Sequence, residues 1–353
     1  MSQKAADFLI YDENTRTYRA DPEQVVRDSV EKHYWLHVLR TILRDWRLYM
    51  MLIPMLLVFL FWRYFPMYDL LGSFKVYRDS TPVAQQLYSG FSYFKTLLVG
   101  DQSADFWMAM RNTFLLSFYG LCFGFPMPII LALFFNEVRS NIARSAYQVL
   151  TYLPHFISTV VMTTLITMLV KQGGSDGISK VGIISQFLQN IGLISEQVAQ
   201  KGLLHDPGFF RAIYQISGIW EGAGYGSIVF FAAIIAISPT SYEAAQIDGA
   251  NKWAQMRYVV LPSILSTIVI MLITRIGSLL SIGYEKVLLL YNTDTYMTAD
   301  VVSTFSYRLG LEGNGGTVKG IASAAEMMNN VIGMLLVIGA NTIARKASNT
   351  SLY

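Results

Sequence analysis

Residues 218–264 read GIWEGAGYGSIVFFAAIIAISPTSYEAAQIDGANKWAQMRYVVLPSI. The first part is apolar through Ile237, and a second apolar stretch follows from Tyr258. Between them lies a loop that mixes charge with Ala244, Ala245, Ile247, Trp253 and Met256, too many apolar residues for a solvated connection. A helix needs roughly 20 mostly apolar residues to cross a bilayer core about 30 Å thick. Working outward, six stretches meet this length: Leu48–Met67, Asn112–Asn136, Ala146–Val170, Phe210–Ile237, Tyr258–Ile282 and Ala322–Ile343. Pro126, Pro128 and many Gly, Ser and Thr residues lie inside them, which predicts bundled rather than isolated helices.

The composition agrees. Of 353 residues, 53% are hydrophobic and only 14% charged, whereas soluble domains carry roughly 25% charge. Such a chain is neither disordered nor, with Cys122 alone, a disulfide scaffold. A net charge of +3 gives no support for nucleic-acid binding. The expected fold is therefore all-α: a polytopic membrane protein with six transmembrane helices.

No apolar signal-like run opens the sequence, so the first span is expected to act as an uncleaved anchor. Residues 1–46 read as a cytoplasmic N-terminal extension, with 22–46 as an amphipathic helix. Arg40, Arg44 and Arg47 precede the first span, Arg139 and Arg144 occupy the second loop, and Arg345 and Lys346 follow the last span. That bias predicts both termini in the cytoplasm. The segments 68–111, 171–209 and 283–321 are then external, the second containing a short interfacial helix.

In the central loop, Thr240 and Glu243 have capping-box spacing. Gly249 suits the left-handed residue that ends a helix, and Pro262 falls where the fifth span begins. The expected object is a helix–Gly–helix elbow at 239–262, lying against the inner membrane face.

The run Glu243-Ala244-Ala245, three residues, Gly249, nine residues, Val259, one residue, Leu261-Pro262 resembles the EAA loop of ABC importer permeases. The wider EAAQIDGANKWAQMRYVVLPSI is similar to that of maltose-type carbohydrate permeases. YLPHFIS at 152–158, STFSYRLGL at 303–311 and the C-terminal NTIARKASNTSLY resemble the subgroup importing oligosaccharides and polysaccharide fragments. The resemblance implies the MetI-like, type I importer permease fold over 47–353, in the bacterial cytoplasmic membrane. It implies a coupling helix seated in a cytoplasmic ATPase, with Glu243 and Gly249 as coupling residues. Ala244, Ala245, Asp248 and Ala250 would shape the docked surface, and Trp253, Met256, Leu261 and Pro262 complete the set. It also implies a second homologous permease, two ATPase subunits carrying ATP and Mg, and an extracytoplasmic binding protein delivering carbohydrate. No cofactor or metal is expected on this chain. It contains no G-x-x-x-x-G-K-[ST] run and no nucleophile elbow, so it reads as a non-enzyme.

Ionisable groups inside spans face the bundle interior, a partner or a wet cavity. Arg275 reads either as a wall of the substrate path or as one half of an interhelical pair, with Glu221 or a carbonyl. Glu221, Trp220 and Tyr225 suit a sugar site, where aromatic faces stack on pyranose rings, but aromatics at helical spacing also suit packing. Asn329 and Asn330, with Glu326, open the sixth span and either face the path or line its mouth. His155 reads as a packing residue. Competing functions are an importer permease for glycerol phosphate or polyamine, a self-sufficient ion-coupled transporter, and a membrane enzyme acting on lipid-linked sugars.

Overall fold

A computed structural model describes residues 9–12, 17–20, 38–39, 42–76, 87–171, 181–313 and 316–348. The chain divides into two compact units, Met1–Tyr68 and Asp69–Tyr353. The first contains an antiparallel hairpin of β1 (Leu9–Asp12) and β2 (Thr17–Ala20), which the sequence reading did not foresee. Most of the amphipathic helix expected at 22–46 lies outside the described residues. Helix α1 (Trp46–Phe59) continues through π and 3-10 segments to Phe74, giving a first span of 29 residues.

In the second unit, α2 (Ser92–Leu98) precedes the second span. That span joins α3 (Ser103–Tyr119) to α4 (Pro126–Glu137) through a π turn at Gly120–Gly124. It starts nine residues before the expected Asn112, counting from Ser103. Just beyond the extension, Asn112 and Thr113 are buried and bonded to residues 297–302.

The third span is not continuous. It consists of α5 (Asn141–Tyr152), a 3-10 turn at Leu153–Phe156, and α6 (Thr159–Val170), with the two limbs bent by 101°. Pro154 lies in the turn, and the extended Ser158 caps α6 by accepting a hydrogen bond from the Val161 N–H at 3.4 Å. Twelve residues rise only about 18 Å, so α6 by itself is shorter than the bilayer core.

After α7 (Ile183–Asn190), the interfacial-type helix expected in this segment, and α8 (Glu196–Lys201), comes the 29-residue α9 (Pro207–Ile235). Asp206 caps it and Pro207 begins it, as helix N-termini favour. The elbow follows as α10 (Pro239–Ile247) and α11 (Lys252–Gln255). A π turn, α12 (Leu261–Ser263) and α13 (Leu265–Gly277) form the fifth span, broken by 61° near Ile264 just beyond Pro262. Helices α14 (Tyr284–Leu290), α15 (Tyr296–Ala299) and α16 (Val302–Tyr307) lead to α17 (Gly316–Ser348), the sixth span. Among the described residues, four helices are long and apolar enough to cross a membrane, and the count is six when each bent pair is one span.

The connecting segments belong to the core. Leu203, Leu204, Val287, Leu290 and Val301 are buried in one cluster with Leu116, Met162, Ile166 and Phe210 of the spans. A second cluster joins α2, α3, α16 and α17 through Leu97, Phe106, Phe305 and Ala324. A third holds the elbow end together: Ala132 of α4 and Phe230 and Ile234 of α9 meet Val260 and Ile264.

Candidate functional site

At the elbow, α10 ends in a Schellman motif. Gly249 has φ +78°, its N–H donates to the Gln246 carbonyl at 3.0 Å, and the Ala250 N–H donates to the Ala245 carbonyl at 2.9 Å. The new direction is fixed at once, because Asn251 caps α11 by accepting from the Ala254 N–H at 2.8 Å. The expected capping box is absent: α10 starts at Pro239 with Ser238 as its cap residue. The Ser238 hydroxyl bonds the Thr240 hydroxyl at 2.8 Å instead of the backbone.

Glu243, Ala244, Ile247, Asp248, Gly249, Trp253 and Pro262 are exposed, while Ala245, Ala250, Met256 and Leu261 are half-buried. Trp253, Met256 and Leu261 line an apolar recess of about 490 Å³ with Ile130, Leu133 and Phe134 of α4. Lys252 and Glu137 pair at 3.5 Å on its edge. The chain thus supplies part of the groove that the elbow's apolar residues require. Ile247 stays 87% exposed. Tyr242 anchors α10 to the third cluster, and partial burial raises its phenol pKa against the opposing effect of a hydrogen bond with Asn136.

A second site lies among the Gly120–Gly124 turn, α4, α9, α13 and α14. A cavity of about 450 Å³ opens there, in the range of small-molecule sites of about 300–1,000 Å³. Its room comes from missing side chains. Gly218, Gly222 and Gly226 recur every four residues on one face of α9, opposite Gly120 and Gly124. Arg275 enters from α13, with its guanidinium 3.5 Å from where a Cβ on Gly120 would stand. Tyr214, Gln215, Arg275 and Ser278 also line an adjoining cavity of about 250 Å³.

The candidate path residues divide. Arg275 lines both cavities, and no ion pair or hydrogen bond of its guanidinium occurs among the described residues. Glu221 does not pair with it. Glu221 Oε2 accepts from Lys286 Nζ at 2.9 Å, and Lys286 is the cavity's other cation. Trp220 and Tyr225 line neither cavity; Tyr225 stacks on the exposed His155 with centroids 4.0 Å apart. Asn329 is buried and its Nδ2 donates to the Leu280 carbonyl at 3.1 Å, tying the sixth span to the end of the fifth. Asn330 is exposed.

Sequence reasoning missed Lys286, which stands beside Glu285 in the otherwise uncharged run 282–291. It also missed a polar lock at the end of the bundle remote from the elbow. There Arg211 donates to Asn112 Oδ1 at 2.9 Å, and Asn112 Nδ2 donates to the Met297 and Asp300 carbonyls. The fully buried Asp300 carboxylate accepts from Arg308 at 2.7 Å and from Thr304 at 2.7 Å. Burial opposes the charge on Arg308, but Asp300 outweighs it and raises the guanidinium's pKa. Partial burial pushes the nearby Tyr291 phenol up to about 12.

Broken spans around a glycine-walled cavity, with an elbow displayed at one end, give the chain the architecture of a polytopic membrane protein. The chain belongs to the family of binding-protein-dependent transport system inner membrane components, which it matches over residues 124–340. It is 34% identical to protein LplB of Bacillus subtilis over 319 residues, covering 90% of this chain and 94% of that protein. It is 33% identical to the polygalacturonan/rhamnogalacturonan transport system permease protein YteP of the same organism, covering 87% and 90%. A crystal structure of a bacterial ABC transporter importing the acidic polysaccharide alginate contains a chain 40% identical to this one. The superposition has TM-score 0.75 and covers 88% of this chain and 99% of that one. The alginate transporter bound to its pentasaccharide-loaded periplasmic protein gives 41% identity and TM-score 0.76.

Proposed function

We propose that the chain is a non-catalytic, membrane-spanning subunit of an ATP-driven importer for oligosaccharides or polysaccharide fragments. Both termini and the elbow face the cytoplasm. A binding protein delivers sugar to the opposite face, a second homologous permease completes the pathway, and two ATPase subunits with ATP and Mg supply the motor. The observation that carries this reading is the elbow. Its Schellman turn holds the exposed Ile247 and Trp253 on a rigid bend joined directly to the broken fifth span. Movement of an ATPase against that bend rocks the spans between two states, biased by ATP at one end and loaded binding protein at the other. Kinship to YteP and the alginate importer supports carbohydrate over glycerol phosphate or polyamine.

The test is reconstitution of the chain in vesicles with a homologous permease, the ATPase and the binding protein. Uptake of labelled oligosaccharide is expected to require ATP on the ATPase side and binding protein on the other. Uptake by the chain alone, driven by an ion gradient, would overturn the proposal in favour of secondary transport.

A further inference from the structure

The walls of the 450 Å³ cavity carry two charged side chains, Arg275 and Lys286, and no carboxylate lines it among the described residues. Their surroundings differ. Lys286 is neutralised from behind by Glu221 at 2.9 Å, and only 12% of its side chain is exposed. Arg275 is exposed to the cavity, and its guanidinium has no counter-ion among the described residues. The cavity therefore carries one uncompensated positive charge in a low-dielectric bundle, where such a charge favours an anionic occupant. A guanidinium presents a planar fork that matches a carboxylate with two parallel hydrogen bonds. Beside it, Gln215, Thr274 and Ser278 donate to the Leu116, Ile270 and Arg275 carbonyls, which leaves their oxygens as acceptors for sugar hydroxyls. The glycine wall leaves space for a ring close to the backbone.

We infer that Arg275 is a specificity-determining residue of the translocation path, which selects oligosaccharides bearing carboxylates, uronate-type sugars, over neutral ones of the same length. The inference rests on the carbohydrate importer reading above. The Glu221–Lys286 pair leaves Arg275 as the cavity charge without a counter-ion among the described residues.

The experiment measures uptake of labelled uronate and neutral trisaccharides by the reconstituted complex, with wild type, Arg275→Gln and Arg275→Lys compared at equal membrane levels. The binding protein is the same throughout, so its own preference cancels when the uronate-to-neutral ratios of the variants are divided. Arg275→Gln is expected to lower that ratio about tenfold, as loss of one charge-assisted contact predicts, with uronate uptake falling more than neutral uptake and Arg275→Lys intermediate. An unchanged ratio in Arg275→Gln overturns the inference. So does equal loss of both sugars in Gln and Lys variants, which marks Arg275 as structural. Wild-type uptake of neither sugar overturns the carbohydrate reading itself, a result separable from the other two.

Discussion

The elbow and the polar lock at the other end of the bundle solve opposite problems. The elbow's direction is fixed by bonds between residues no more than five apart, such as Ala250 N–H to the Ala245 carbonyl. The lock is fixed by bonds across the fold: Asn112 reaches carbonyls 185 and 188 residues away. A surface offered to a partner keeps its shape locally and leaves its side chains exposed. A junction that must hold several helices together buries its polar groups and satisfies them with distant partners, because an unpaired buried polar group is costly.

Breaking the lock should have the largest effect on stability. Asp300→Asn leaves Arg308 facing a neutral amide at a fully buried position, and disrupting such a pair costs about 3 kcal/mol. The expected outcome is loss of monodisperse protein from detergent extracts; a thermal midpoint equal to wild type would remove the lock from the account.

Next comes Gly224→Ala, at the crossing of α9 and α5. An added Cβ would lie 2.0 Å from the Thr151 carbonyl oxygen, and overpacking of this kind costs about 1–3 kcal/mol. Gly222→Ala, two residues earlier, meets nothing within 4 Å and is the control expected to match wild type in the same melting assay. Equal stability of the two variants would disprove the close helix crossing.

The smallest effect on stability belongs to the elbow. Gly249 has open space around it, so Gly249→Val suffers only the left-handed backbone conformation, about 1–2 kcal/mol confined to the helix end. Insertion and melting should be close to wild type while ATP hydrolysis continues without sugar uptake. Normal uptake would sink the coupling role, and global unfolding would sink the contrast with the lock.

Much of the architecture was legible in the sequence, and the limits follow from particular residues. Apolar length located four continuous spans and the two bent helix pairs, and Gly249 marked the turn, since φ +78° is a local demand that glycine meets most readily. The 101° bend was not foreseen, although Pro154 and Ser158 were visible in YLPHFIS, because an apolar count is blind to direction. At the candidate path, Arg275 stood out as a charge in an apolar run. Glu221, Trp220 and Tyr225 looked like one constellation on α9, yet Glu221 meets Lys286 and Tyr225 meets His155.

The sequence by itself therefore determined the solvent, the apolar segments, the elbow and its turn, because these depend on composition and on backbone rules acting within a few residues. Only the tertiary structure decided which cation is neutralised and which is left facing the cavity, and which connecting segments join the core. Those outcomes depend on pairings between residues tens to hundreds of positions apart: Glu221 with Lys286, Asn112 with Asp300. No local pattern encodes them.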